Sequence, residues 1–236
     1  MGAQSELLHK IAADFPEVSI NSGAVTRGAM EATLAQVLVP PSEKMGSEAE
    51  LIEICDRLTV SEQTKNRLAA FVHTKAQARS MDPSNSEFCI SAELGELIMA
   101  AFVFETVAQL GADEVLVSRL FCTDAHAFDG NGFVPLTKGE TRYICKKHSL
   151  NLTSSPIPSE LLTEGGAALL AALGAQMIAA PRSGTIKVGY GAGDAELGGV
   201  PNIVRVVYGE DDGSEALFES EAAVGDVFAE FACMEA

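Results

Sequence analysis

The sequence predicts an α+β fold: a helical hairpin and a long core helix packed on a mixed or antiparallel sheet. Three observations predict it. Helical apolar spacing dominates the first half of the chain, and strand-like runs gather in the second half. The two kinds of segment do not alternate strictly, as a doubly wound sheet would require. The 236 residues are enough for a sizeable buried core.

The elements follow in order. Residues Glu6 to Asp14 form a short helix stopped before Pro16. Val37-Leu38-Val39 reads as a strand ended by the rigid Pro40-Pro41 turn. Ser47 with Glu50 three residues on is a capping box, followed by Leu51, Ile54, Cys55 and Leu58 on one helical face. Ser61 caps a second helix that runs through Leu68, Phe71, Val72 and Lys75 to about Arg79. Asp82-Pro83-Ser84-Asn85 then breaks the chain by turn chemistry, leaving an αα-hairpin. Ser91 is expected to cap the long apolar helix that Gly111 stops after Leu110.

Strand-like sequence takes over at Glu114 to Leu120, and Asp129-Gly130-Asn131-Gly132 is a turn. Arg142 to His148 is compatible with a short strand or a helix. A helix of small and apolar residues opens at Thr163 and runs to Met177. Thr185 to Tyr190 and Ile203 to Tyr208 read as strands joined by a glycine-rich loop, with one more strand at Ala216 to Glu219. The expected organisation is one domain, with residues 1–45 as its N-terminal segment, 46–210 as its core and 211–236 as an acidic C-terminal segment.

The net charge of −17 argues against nucleic acid or an anionic membrane surface as partner. No apolar run is long enough to span a bilayer; the most apolar, Leu97 to Leu110, is too short and contains Glu105. Without a secretion signal, a cytoplasmic protein is expected. Five widely spaced cysteines, Cys55, Cys89, Cys122, Cys145 and Cys233, contain no CxxC pair, and fit reduced thiols rather than a zinc ribbon.

Two small-residue stretches carry the functional signal. In Gly189-Tyr190-Gly191-Ala192-Gly193, followed by Pro201-Asn202-Ile203-Val204-Arg205, bare backbone amides can hold a phosphate. Equally, the glycines can serve only a strand connection. In Thr163-Glu164-Gly165-Gly166, a helix start offers unpaired amides and the positive dipole end. An ordinary N-cap explains that pattern as well. On an extended segment Cys122, Asp124 and His126 share one face and combine ligand types suited to nickel or zinc. A packed strand face is the alternative. Glu93 and Glu96, one helical turn apart, are replacement carboxylate ligands, an acid–base pair or solvated surface groups.

Taken in order, these motifs resemble the nickel-insertion proteins (LarC). Glu50 to Ala78 looks like that family's helical hairpin, and Glu87 to Glu96 falls where its acidic-histidine motif belongs. Gly111 to Leu120 is similar to its glycine-and-strand segment. Glu160-Leu161-Leu162-Thr163-Glu164-Gly165-Gly166-Ala167-Ala168 is similar to its Glu-Leu-Val-Thr-Pro-Thr-Gly-Ala-Ala motif. The Gly189 to Gly193 and Pro201 to Arg205 elements are kept. The sequence departs from the pattern at Cys89, Ile90 and Gly95, where histidine, glutamate and aspartate stand in the family, and at Val134 to Gly139, which replaces a proline-rich segment.

The resemblance implies CTP-dependent insertion of nickel into the pyridinium bisthiocarboxylate mononucleotide (nickel-pincer) cofactor. It implies that precursor nucleotide as ligand, docked by Thr163, Gly165, Gly166, Gly189, Gly191, Gly193 and Asn202. The chain corresponds to the family's N-terminal half, with a separately encoded C-terminal half and a homo-oligomer as expected partners. The alternative is a non-catalytic interaction or assembly module that kept the fold.

Overall fold

The computed structural model describes residues 2–82, 87–128, 130, 132–178, 185–197, 201–210 and 228–235. The chain is α+β, and it divides into two compact units that are each discontinuous in sequence. Unit 1 comprises Met1–Ser22, Ala35–Gly111 and Ala168–Leu173; unit 2 comprises Gly23–Leu34, Ala112–Ala167 and Gly174–Ala236.

Unit 1 is helical. It contains α1 (Gly2–Ala12), the two-residue strand β3 (Met45–Gly46), α2 (Glu48–Arg57), α3 (Glu62–Arg79), the two-residue strand β4 (Phe88–Cys89) and α4 (Ile90–Leu110). The capping box at Ser47 is complete: the Ser47 hydroxyl accepts from the Glu50 amide, and Glu50 Oε2 accepts from the Ser47 amide at 2.9 Å. Ser61 caps α3 as expected. Helix α4 is apolar nearly all round, which suits a helix with partners on several sides, and α1, α2 and α3 all pack against it. Leu51, Leu68, Phe71, Leu97, Ile98 and Phe104 form the buried interior.

The cap of α4 is Cys89 rather than Ser91. The reason lies in β3 and β4, which pair antiparallel with Met45 opposite Cys89. The preceding segment is thereby laid over the helix start, so Ile90 N donates to Lys44 O at 3.0 Å. The Ser91 hydroxyl turns to residue 42, accepting from its amide and donating to its carbonyl, both at 3.2 Å. At the other end Gly111 closes the helix in the left-handed region, at φ 67°, as its position predicts.

Unit 2 is built on a mixed sheet. The strands β1 (Ser19–Arg27) and β2 (Met30–Leu38) contribute their Gly23–Leu34 part to this unit; Val37-Leu38 of the expected Val37-Leu38-Val39 strand lies at the end of β2, whereas β1 is polar and mostly exposed and carries no strand signal. Gly28, at φ 59°, turns one into the other. Next come β5 (Glu114–Val117), β6 (Leu120–Cys122), β7 (His126–Phe128), β8 (Phe133–Pro135), α5 (Gly139–Lys147), β9 (Leu152–Ser154) and α6 (Glu164–Ala172), whose residues up to Ala167 belong to unit 2 and whose remainder belongs to unit 1. The chain continues with β10 (Gln176–Met177), β11 (Thr185–Ala192), β12 (Ile203–Glu210) and β13 (Phe228–Glu235). The large sheet has the order β1-β2-β11-β12-β13-β5-β10. Its pairs β11–β12 and β13–β5 are antiparallel, and β2–β11, β12–β13 and β5–β10 are parallel.

The ambiguous stretch Arg142 to His148 is helical through Lys147, within α5, and His148 is the C-cap. Helix α6 ends at Ala172 rather than Met177, because Gly174 adopts φ 66° and the chain re-enters the sheet as β10. The strand expected at 216–219 lies outside the described residues. No helix among the described residues is long and apolar enough to cross a membrane.

Candidate functional site

The glycine-rich stretch is not a loop over most of its length. Gly189 and Gly191 lie inside β11, opposite Val206 and Val204 of β12, and Gly191 also pairs with Thr33 of β2. Strand side chains alternate between faces, so Gly189, Gly191 and Gly193 share one face. That face of β11 therefore carries no side chain for five residues. A Cβ built on Gly189 or on Gly191 meets nothing within 4 Å. Packing does not demand glycine at either position; the strip is an open shelf of bare backbone. Its amides point along the sheet toward neighbouring strands.

Gly193 differs. A Cβ there would stand 2.5 Å from the Asn202 amide nitrogen. Gly193 N donates to Asn202 O at 3.0 Å, and Asn202 Nδ2 donates to Ala195 O at 3.1 Å, so one residue closes both sides of the β11–β12 corner. Arg27 of β1 holds the same corner. Its Nε and Nη2 each donate to Gly193 O at 3.2 Å, and Nη1 reaches Glu196 Oε1 at 3.5 Å. The Arg27 side chain is 11% exposed, and the sequence offered no signal for it, because β1 itself lacks strand periodicity.

The Thr163 corner is a helix cap. Thr163 Oγ1 accepts from Gly166 N at 3.0 Å, and a Cβ on Gly166 would press on Leu162 and on Thr163 Oγ1, both at 3.3 Å. Gly166 is thus explained by the cap it completes. Gly165 follows in the first turn, half-buried. The Thr163 hydroxyl and the Asn202 side-chain amide each bond within their own corner, to Gly166 N and Ala195 O.

Cys122, Asp124 and His126 do not form a metal-binding group, and no set of three or more His, Cys, Asp or Glu side chains among the described residues does. The segment is not one extended strand. Strand β6 ends at Cys122 and β7 begins at His126, and the three residues between them belong to no strand. The Cys122 side chain is buried, Asp124 pairs with Arg142 Nη2 at 2.8 Å, and His126 is exposed.

The polar cluster that sequence reading missed is in unit 1. Glu93 is not a solvated surface group: it is 4% exposed and bonds Lys75 Nζ and Arg79 Nη2, the latter at 2.9 Å. Lys75 is itself buried and also donates to Glu96 at 2.6 Å. Burial raises the Glu93 carboxyl above the usual range, with the charge and hydrogen bond of Lys75 pulling the other way. The available signal was Lys75 itself, a cation set in the apolar register of Leu68, Phe71 and Val72. Nearby, the Cys89 thiol is held below its ordinary value by hydrogen bonding, first to the Ser91 hydroxyl and then to the Ala92 amide.

Comparison with known proteins adds a family to this geometry. The family model described as nickel insertion protein matches residues 1–234. A relative from Methanosarcina acetivorans, named "Putative nickel insertion protein", is 25% identical over 219 residues, which cover 90% of this chain and 54% of the relative. One of the same name from Methanosarcina barkeri is 24% identical, covering 87% of this chain and 53% of its own length. One from Methanothrix thermoacetophila is 38% identical over 81 residues, 34% of this chain and 20% of the relative. The chain thus spans about half the length of the first two relatives. No solved structure matches it.

Proposed function

This chain belongs to the nickel insertion protein family, and from that membership we propose that it helps load nickel into the nickel-pincer cofactor by docking the precursor nucleotide. The observation that carries the reading is the side-chain-free shelf of Gly189 and Gly191, which ends at the corner pinned by Asn202 and Arg27. A flat pyridinium ring can approach bare strand backbone more closely than it can approach any side chain. The precursor brings its own carbon and sulfur donors, so the protein need not supply a closed ligand set for the ion. Nickel is the cargo here, and CTP is the co-substrate that the family resemblance implies. A cytoplasmic location accompanies this reading.

The test is calorimetric titration of the chain with nicotinic acid mononucleotide, nickel(II) and CTP in separate experiments. Saturable heat with the mononucleotide, lost in Gly191→Leu, supports the shelf. No heat with any of the three overturns the reading.

One observation favours a second reading, an assembly module. The β7–β8 hairpin displays Phe128 and Phe133 at 67% and 77% exposure, their rings stacked edge to face with centroids 5.6 Å apart. Large exposed aromatics paired on a hairpin suit a partner surface. Sedimentation of Phe128→Ser/Phe133→Ser beside the unaltered chain tests it: an unchanged oligomeric state removes self-assembly through this hairpin.

A further inference from the structure

Unit 1 contains a cavity of about 230 Å³ that the nickel reading does not use. Its apolar lining is Phe15, Ile54, Ile90 and Leu94, and its charged lining is Glu17, Lys44, Glu50, Glu53 and Arg57. Two of those charges are committed to each other: Lys44 and Glu50 pair at 3.4 Å, and Glu50 also completes the capping box of α2. The other three are not. Among the described residues the Glu17 and Glu53 carboxylates have no ion-pair or hydrogen-bond partner, and Arg57 has no carboxylate within ion-pair distance.

Glu53 and Arg57 are exposed and one helical turn apart on α2, the spacing at which opposite charges can meet. Arg57 instead lies over the Phe15 ring, 4.5 Å from its centroid. The cavity thus presents a separated pair of charge signs above an apolar floor. A molecule that offers both signs, joined to an apolar body, complements this lining.

We propose that this cavity binds a free amino acid with an apolar side chain. The side chain rests on Phe15, Ile54, Ile90 and Leu94, the ammonium group faces the Glu17 and Glu53 carboxylates, and the carboxylate faces the Arg57 guanidinium. A large hydrophobic amino acid fits within the volume, and each unpartnered charge gains a counter-charge.

The experiment uses the full chain and three probes with one common body: L-phenylalanine with both charges, phenethylamine with the cation alone, and 3-phenylpropionate with the anion alone. Chemical-shift titration is expected to show saturable binding that is tightest for phenylalanine. Glu17→Gln/Glu53→Gln should weaken phenylalanine and phenethylamine by about fivefold and leave phenylpropionate unchanged. Arg57→Gln should do the reverse, weakening phenylalanine and phenylpropionate by a similar factor. The proposal is overturned if none of the probes saturates, if all three bind alike, or if the substitutions fail to separate the two half-ligands. The altered side chains are exposed, and a thermal melt of each variant checks the fold. The three-probe series on the unaltered chain decides the question without them.

Discussion

The Lys75 ammonium group, 1% exposed, is hydrogen-bonded to the Glu93 carboxylate, itself buried, so α3 and α4 are joined by a charge pair inside the helical unit. Glu93 is shared with Arg79, and Lys75 with the half-exposed Glu96. Such a cluster is retained only while every charge is matched, because the loss of one partner strands another in a medium that solvates it poorly.

Removing Lys75 should therefore be severe. Lys75→Ala is expected to destabilise the chain by about 3 kcal/mol, measured by urea unfolding. The paired replacement Lys75→Met/Glu93→Leu should recover most of the loss, since neither charge remains to be solvated. The pH dependence has a definite sign. Burial already raises Glu93, and without Lys75 the main opposing influence is gone. A raised carboxyl folds most favourably while protonated, so the deficit of Lys75→Ala should grow as pH climbs through that raised value. A deficit equal in mildly acidic and mildly alkaline buffer would contradict this.

Glu105 makes a second prediction with the opposite sign. Burial works to raise its carboxyl, but the hydroxyls of Thr64 and Ser61, the Ser61 amide and Gln109 together hold it below the usual range. Its Oε2 accepts from Thr64 Oγ1 and Ser61 Oγ, both at 2.7 Å, which fixes the start of α3. A lowered carboxyl contributes stability above its unfolded value and loses it as pH falls through the folded one. Glu105→Gln should cost about 1 kcal/mol near neutral pH and progressively less in acid. A constant difference across the acid limb would count against the cap.

Thiol reactivity should single out one cysteine among those with described side chains. Burial pushes Cys55 up to about 12 and Cys145 up to about 11, the latter also raised by Cys122. Cys89 is held low by Ser91 and Ala92 and is only half-buried. Iodoacetamide at neutral pH, followed by peptide mass spectrometry, should label Cys89 before Cys55, Cys122 or Cys145. Ser91→Ala should slow that labelling, because it removes the largest cause of the lowered value.

The helical half was legible because its signals are local. Ser47 with Glu50, Ser61 and Gly111 each mark a boundary through chemistry within a few residues, and the structure keeps all three. Ser91 misled because the competing partner, residue 42, is 49 positions away. The sheet was harder for the same reason. Strand β1 buries little and shows no alternation, yet it places Arg27 against Gly193, 166 residues distant. The two-residue spacing of Cys122, Asp124 and His126 suggested a shared strand face, but three residues outside any strand separate β6 from β7. At Gly189 to Gly193 the residues of interest were legible, but their setting within a strand was not.

The glycines of β11 offer the sharpest separation of fold from function. Gly189→Ala and Gly191→Ala add a Cβ where nothing stands within 4 Å, and neither residue has a positive φ. Alanine in a strand interior is favoured over glycine on entropic grounds, so each variant should match the unaltered chain or gain up to about 1 kcal/mol. Gly193→Ala should instead lose stability, because its Cβ would press on the Asn202 side chain, which is held by its bond to Ala195 O. Nucleotide binding should follow another order. If the precursor lies on the shelf, Gly189→Ala and Gly191→Ala lift it off the backbone and weaken mononucleotide binding although the fold is unharmed. Thermal melts and calorimetry on the same three variants read the two effects apart. Full binding by Gly189→Ala and Gly191→Ala, beside weakened binding by Gly193→Ala alone, would move the nucleotide from the shelf to the Asn202 corner.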